Sequence, residues 1–230
     1  MLTSKRPRNL FGLSIIVVGL SLLFSLVASS ANFAQGDPAF VRQVRALETS
    51  DLGLLNPAGL AFSPGVNAFH MLGARQPSQR PSSVSELILI TPAKDRIGSV
   101  QIAAAIADPI NMAFDSKAGC LLIFQPNANQ LIEVKTGTDG NLDPATLTRF
   151  GAMHFGLQNP QGMTVDPLSG HLFILDSTRP RPVRIQPTAD GGFANAANSS
   201  VDLQPTGLTN LRGVAFEPAT GYLHIPLIHL

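Results

Sequence analysis

"NPQGMTVDPLSGHLFILD", residues 159–176, is the stretch that decides the fold. Two short apolar-rich runs flank the sequence DPLSG, a pattern typical of a strand, a tight turn and a second strand. Related stretches occur three more times. Their first strands open at Gly59, Asn111, Gly162 and Gly213, so successive copies are spaced by 52, 51 and 51 residues. Four copies at one period indicate a repeat architecture rather than one isolated hairpin.

Each copy continues beyond its hairpin. Third-strand sequences begin at Leu131 and Val183, and each is followed by an Asp-Gly turn, at 139–140 and 190–191. The 20 glycines and 18 prolines also favour many short segments joined by turns. Four strands per repeat is typical of a propeller blade, so the chain is predicted to be an all-β β-propeller. The fourth strands are predicted at 99–106, 145–153 and 199–204.

The predicted domain covers residues 37–230. Its blades are placed at about 52–106, 107–155, 156–205 and, as a partial blade, 206–230.

The turn of each hairpin has its own chemistry. An acidic residue closes the first strand, and its carboxylate is expected to accept backbone N–H groups of the turn. A glycine four residues later supplies a positive φ before the second strand. The first copy, "FSPGVN", lacks a glycine at that place, so a different turn is expected there. The acidic residues are Asp115, Asp166 and Glu217, and the glycines are Gly119, Gly170 and Gly221.

These motifs resemble the NHL-repeat family of β-propellers. "NPQGMTVDPLSGHLFILD" matches the family pattern almost throughout, and "NLRGVAFEPATGYLHI" lacks only its proline. "DPINMAFDSKAGCLLIF" has Asn111 where the pattern has glycine, and "NPAGLAFSPGVNAFHML" departs in its second half. The resemblance covers residues 52–230. It implies a propeller of about six blades and leaves the function open.

The N-terminus is predicted to be a targeting segment, residues 1–31. Lys5, Arg6 and Arg8 precede an apolar run over residues 10–28, and small residues follow. This pattern predicts a signal peptide cleaved after Ala31, and therefore a secreted or periplasmic protein. The apolar run is nearly long enough to span a bilayer, so an uncleaved membrane anchor is the alternative.

Charge and cysteine content exclude some classes of function. The chain has a net charge of +1, and removal of residues 1–31 would leave 13 basic and 15 acidic residues. Nucleic-acid binding requires clustered cations, so no nucleic-acid partner is expected. Cys120 is the only cysteine, which rules out an internal disulfide. It is expected to be a buried, unreactive thiol.

The repeats do not fill a complete ring. Residues 40–52 alternate like an outer strand and precede the first blade, so they are expected to complete the last one. The last blade otherwise consists of half a repeat. Open blades would expose strand edges. Two interpretations stay open: the chain is a truncated part of a larger propeller protein, or it closes as a small ring or pairs with a second copy through open blade edges.

Candidate ligand-binding residues lie on one face of the predicted propeller. The loops that lead into each first strand and leave each second strand meet there. Asn and Asp are also common turn residues, so a structural role is the competing interpretation. Arg179 belongs to a cationic loop suited to an anionic ligand. The candidates are Asn56, Asp108, Asn159, Asn210, Gln125, Asp176 and Arg179.

Three functions stay open. An exported binding or scaffold module for a protein, peptide or glycan partner is favoured, because no catalytic motif is evident and no cofactor or metal is expected. A propeller lyase or lactonase-like hydrolase with a metal in its central channel is the second. A fragment whose activity lies in further blades is the third. Calcium held by Asp115, Asp166 and Glu217 is a weaker alternative to their role in turns.

Overall fold

The computed structural model describes residues 48–54, 57–73, 85–103, 106, 109–208 and 211–226, all within the compact unit Leu47–Leu230. These residues contain three four-stranded antiparallel sheets and one two-stranded sheet. In each sheet the strand order follows the chain order, as the repeat predicts. The all-β, blade-by-blade architecture predicted from the sequence is therefore confirmed.

The blades follow one another along the chain. Blade 1 consists of β1 (Pro57–Ser63), β2 (Ala68–Gly73), β3 (Ser85–Ile90) and β4 (Arg96–Ile102). Blade 2 consists of β5 (Asn111–Asp115), β6 (Cys120–Gln125), β7 (Gln130–Lys135) and β8 (Thr148–Gly151). Blade 3 consists of β9 (Pro160–Val165), β10 (Leu172–Asp176), β11 (Arg181–Gln186) and β12 (Ala197–Ser200). Blade 4 consists of β13 (Ala215–Glu217) and β14 (Tyr222–His224).

The small residue that opens each first strand allows neighbouring blades to approach closely. A Cβ atom on Gly162 of β9 would lie 3.1 Å from the Cα of Gly213, which precedes β13. A Cβ on Gly59 would lie 2.7 Å from Cγ of Met112 in β5. Both distances are shorter than an ordinary van der Waals contact. The first strands of successive blades therefore pack against one another, which explains the glycine signature of the repeat.

The hairpin turns adopt the predicted geometry. Asp115 Oδ1 accepts the backbone N–H groups of Lys117 (2.9 Å) and Ala118 (3.2 Å). In the next blade, Asp166 Oδ1 accepts the N–H of Leu168 at 2.9 Å. Gly119, Gly170 and Gly221 have φ values of 62°, 76° and 73°.

The first copy of the repeat reaches the same left-handed conformation by another route. Asn67 lies 52 residues before Gly119 and has a φ of 48°. Asparagine is one of the few other residues that tolerates this left-handed conformation. The first turn also differs as predicted, because the N–H of Asn67 donates to the carbonyl of Pro64, three residues back, whereas that of Gly170 donates to Asp166, four residues back.

The core lies between the blades. One buried cluster joins blades 2 and 3 through residues such as Leu122, Phe124 and Met163. A second joins blades 1 and 2 and includes Leu72, Met112 and Ile123. Cys120 is 1% exposed, and burial raises the pKa of its thiol, so the prediction of a buried, unreactive cysteine is confirmed.

The outer strands differ from the sequence prediction. The strands overlap the predicted ranges 99–106, 145–153 and 199–204 but are shorter: β4 and β12 begin three and two residues earlier than predicted, and β8 lies within its predicted range. Short 3-10 helical turns occupy Pro144–Thr146, Met153–Phe155 and Gln204–Thr206. These strands form the exposed edge of each blade, where little burial fixes their ends.

Part of the predicted strand over residues 40–52 is also corrected. Its described end, Ser50–Leu52, is a 3-10 turn closed by Gly53 at a φ of 81°. Residues 40–47 and the targeting segment 1–31, with its apolar run 10–28, lie outside the described residues. Within the described part of the chain, no helix has the length and apolar character needed to cross a bilayer.

Candidate functional site

The top face is the end of the blades at which β9 begins and β10 ends, together with the preceding 3-10 turn Met153–Phe155. Of the seven residues predicted for this face, Asn56, Asp108 and Asn210 lie outside the described residues. The structure places Asn159 and Asp176 next to each other, because β9 and β10 are paired neighbours. Gln125 and Arg179 occupy separate positions, at the end of β6 and in the turn after β10.

Asp176 fixes two loops of the top face to each other. Its side chain is fully buried. One carboxylate oxygen, Oδ1, accepts the backbone N–H groups of Asn159 (3.0 Å) and Thr178 (3.3 Å), and Oδ2 accepts that of Gln158 (3.1 Å). The loop leading into β9 and the turn leaving β10 therefore share one buried acceptor. This gives Asp176 a structural role beneath the surface on which a ligand would lie.

Arg181 supplies the charge that balances Asp176. Its Nη2 lies 3.5 Å from Asp176 Oδ2 and donates a hydrogen bond of 2.7 Å to the carbonyl of Gly156. Its Nη1 donates to Ser200 Oγ at 3.3 Å. Because the carboxylate is fully buried, this ion pair and the backbone donors together offset its desolvation. Through Arg181, the loop at Gly156, the end of β10 at Asp176 and the end of β12 at Ser200 are joined to one another.

Asn159 also begins a polar chain that crosses from blade 3 to blade 4. Its Oδ1 accepts a 2.8 Å hydrogen bond from Gln161 Nε2, and Gln161 Oε1 accepts a 2.9 Å bond from Arg212 Nη1. The sequence prediction missed Gln161 and Arg212. Their spacing of 51 residues, one repeat period, is the signal that could have revealed them.

Gln125 and Arg179 differ in exposure. Gln125 lies in blade 2 at the repeat position of Asp176 and is 5% exposed. Arg179 is exposed at the turn between β10 and β11. In the loop before β9, Met153 is 80% exposed and His154 is exposed as well. Met153, Asn159 and Arg179 are thus exposed side chains of the loops at the top face, and Asp176 is buried beneath two of those loops.

On the opposite, bottom face, the carboxylates of Asp115 and Asp166 hold backbone N–H groups of their turns, as predicted. Glu217 departs from that prediction: its Oε2 accepts from Thr220 Oγ1 at 2.7 Å and lies 3.1 Å from His224 Nε2. In the part of the chain that the structure describes, no three His, Cys, Asp or Glu side chains are grouped to hold a metal ion. The alternative of a calcium ring is left without support from those residues.

Two buried titratable groups lie away from the top face. Glu133 in β7 is 2% exposed, its Oε1 pairs with Lys135 Nζ at 3.5 Å, and burial raises its pKa. His70 in β2 is fully buried, and burial lowers its pKa to about 4. Its ring is therefore neutral at neutral pH. Both groups lie between blades, which gives them a role in packing rather than contact with an external ligand.

Comparison with known proteins gives the class of fold. No protein-family model matches the chain, and no curated protein does. Among solved structures, it is similar to a chain of the nidogen/laminin complex, with 18% identity and a TM-score of 0.50 over 74% of this chain and 56% of that one. It is also similar to a luciferin-regenerating enzyme, with 13% identity and a TM-score of 0.52 over 73% of this chain and 52% of that one.

A third similar structure is regucalcin, a calcium-binding protein from Agrobacterium tumefaciens, with 15% identity and a TM-score of 0.50 over 72% of this chain and 51% of that one. The chain thus spans about half the length of the solved structures it matches. At these identities the likeness defines the fold alone, and that fold is the β-propeller. The similar proteins include both enzymes and partners in protein complexes, so the function must be argued from the site.

Proposed function

We propose that this protein is an exported β-propeller binding module that holds a protein or peptide partner on its top face. The observation that carries the proposal is the fully buried Asp176, which fixes the loops on both sides of it through three backbone N–H groups. Loops held in this way lose little conformational entropy when a partner binds. The top face is therefore preorganised for recognition.

The exposed side chains of the top face favour a protein partner. Met153 presents a flexible apolar surface, and Arg179 presents a cation in the turn between β10 and β11 at the same end of the blades. Methionine and arginine are enriched in protein interfaces relative to the rest of a protein surface. Asn159 adds an exposed amide whose position is fixed by its hydrogen bond to Gln161. A peptide or protein surface that combines an apolar side chain with a carboxylate would match this arrangement.

Site-specific photo-crosslinking tests the proposal. A photoreactive amino acid is placed at Met153 on the top face and, in a control variant, at Leu168 on the bottom face. The two positions are comparably exposed, at 80% and 73%. We expect irradiation of cells that produce the protein to give one discrete protein adduct from position 153 and none from position 168. Equal labelling from both positions would overturn the proposal. So would an adduct whose crosslinked partner is not a protein or peptide.

A charge change gives a second test on the identified partner. Arg179→Glu reverses the exposed cation and leaves the buried Asp176–Arg181 pair in place. We expect it to weaken partner binding at least tenfold in calorimetry, with an unchanged melting temperature, because the side chain is exposed. Unchanged affinity would remove Arg179 from the interface.

Export is part of the proposal and has its own measurement. The intact mass of the protein from its natural source should match a chain that begins after Ala31, because the N-terminal segment has the pattern of a signal peptide. A mass that retains residues 10–28 would replace export with membrane anchoring and leave the top-face proposal intact.

A further inference from the structure

Blade 1 exposes a face that the other blades bury. Leu60 and Phe62 of β1 are 49% and 42% exposed. Met112 in blade 2 and Met163 in blade 3 occupy the repeat position of Leu60, and each is only 2% exposed. Val165, at the position of Phe62 in blade 3, is 8% exposed. In blades 2 and 3 these positions are covered by the blade before them, so they mark a face built to receive a blade.

The repeat shows what covers this face. A side chain on the second strand of one blade packs against the first strand of the next. The His70 ring of blade 1 stacks on Phe114 of blade 2, with centroids 6.2 Å apart and planes 12° apart. Phe173 of blade 3 stacks on Phe216 of blade 4, at 5.8 Å and 10°. Both pairs occupy the same repeat positions, so the contact between neighbouring blades is conserved within this molecule.

Blade 4 exposes the complementary half of that contact. His224 of β14 occupies the repeat position of His70 and Phe173, and its side chain is 61% exposed. Ala215 of β13, at the position of the buried Ala61, is exposed. The exposed face of blade 4 therefore presents an aromatic ring at the position that stacks on the next blade. The exposed face of blade 1 presents Phe62, the residue that would receive it.

We infer that a second copy of this chain docks on blade 1, with its β13–β14 hairpin against β1 and β2 and its His224 ring over Phe62. The contact is head to tail, because each copy offers one face of each kind. Because one chain carries both halves of the repeat contact, two copies can form it twice, once at each pair of faces. This inference is independent of the ligand proposed for the top face.

Cysteine crosslinking between separate chains tests the inference. Phe62→Cys and His224→Cys variants are prepared separately, mixed and treated with a short bifunctional maleimide. Cys120 is 1% exposed, so the introduced thiols are the reactive ones. We expect a covalent dimer in the mixture and not in either variant alone, because stacked rings at this position lie about 6 Å apart in the other blades.

The double variant distinguishes closure between chains from closure within one chain. If a chain closes on itself, the Phe62→Cys, His224→Cys double variant crosslinks as a monomer and the mixed single variants do not. That result would overturn the inference. Crosslinking of Phe62→Cys with itself would also overturn it, because a symmetric contact between two blade 1 faces is a different assembly.

Sedimentation measurements give an independent result. We expect the unmodified chain to sediment as a dimer, and Phe62→Asp and Ala215→Arg each to shift the population to monomer. Leu168→Asp is the matched control: it adds the same charge at an exposed apolar residue of a turn and should leave the dimer intact. A monomeric unmodified chain at micromolar concentration would overturn the inference, as would an Ala215→Arg variant that stays dimeric.

Discussion

At the scale of single residues, the fully buried His70 is a titratable group at the contact between blades 1 and 2. Among the described residues neither of its ring nitrogens has a hydrogen-bond partner, and its ring is stacked on Phe114. Phe173 occupies the same position in blade 3. Burial lowers the pKa of His70 to about 4 from an ordinary value of 6.5. Between about pH 4 and pH 6.5, the His70 ring therefore binds a proton in the unfolded chain and not in the folded chain.

The folded protein should lose stability as the pH falls from 6.5 to 4. Integrated over that window, the loss from His70 is roughly 3 kcal/mol. His70→Phe restores the aromatic residue of blade 3 and should remove this part of the pH dependence, with a change of about 1 kcal/mol or less at pH 7.5. Urea unfolding at pH 7.5 and pH 5 measures both effects.

A second variant without a titratable ring provides the control for this measurement. His70→Leu introduces the residue that blade 2 has at this repeat position, Leu122, and should remove the same part of the pH dependence as His70→Phe. If the unmodified protein and His70→Phe lose stability equally between pH 7.5 and pH 5, the acid sensitivity has another source.

Asp176 is the second residue whose role can be tested by itself. Asp176→Ala would leave three partly buried backbone N–H groups without their acceptor and Arg181 without its counter-charge. Loss of one partner of such a buried network typically costs about 3–5 kcal/mol. We expect a loss of this size in denaturant unfolding, against less than about 0.5 kcal/mol for Asp51→Ala, an exposed carboxylate. A small effect at Asp176 would show that the loops are held by other contacts.

At the scale of the structural elements, the approach of β9 to β13 depends on Gly162. An added methyl group would meet the Gly213 backbone at 3.1 Å, where no flexible side chain can move aside. We expect Gly162→Ala to destabilise the contact between blades 3 and 4 by about 1–3 kcal/mol, as overpacking does elsewhere. Limited proteolysis should then cleave blade 4 faster.

Gly151 is the matched control for this substitution, because a Cβ there has no heavy atom within 4 Å. Gly151→Ala should leave the cleavage rate of blade 4 unchanged. Equal cleavage of the two variants would mean that the close approach of the glycines does not hold blade 4 in place.

The hairpins were predictable from the sequence, and the outer strands were not. Each hairpin turn is determined by residues within the turn itself, an acidic acceptor such as Asp166 and a left-handed residue such as Gly170. The outer strand β12 is exposed along its whole length, so no burial pattern marks its ends. The repeat period therefore locates the blades and their first two strands more accurately than their edges.

The candidate site was predictable only in part, for a similar reason. A residue such as Asp176 at the end of a strand has the same sequence signature whether it points into a loop base or out to solvent. Its burial depends on Arg181 in the next strand and on the loop before β9, neither of which belongs to its own strand. Gln161 and Arg212 were missed because their pairing is between blades. Comparison of equivalent positions across the repeat would have placed them together.

At the scale of the whole molecule, stability should differ between blades. Every residue of β6 is buried, and β10 is buried at four of its five positions. In β13 and β14 the residues are exposed or half-buried. In repeat proteins each unit is stabilised by its neighbours, so a unit with one covered face opens first. We expect the amide hydrogens of β6 and β10 to exchange most slowly, and those of β13 and β14 fastest.

Protein concentration should then change the rate of amide exchange in blade 1 and blade 4 only. If blade 4 of one copy docks on blade 1 of another, β1, β13 and β14 gain partners as the dimer forms, while β6 and β10 already have theirs. Exchange at β1, β13 and β14 should therefore slow together with rising concentration, at the same midpoint as the dimer measured by sedimentation. Slowing at β13 and β14 without β1 would indicate a different contact. Exchange that is independent of concentration would mean that the fourth blade is stabilised within its own chain.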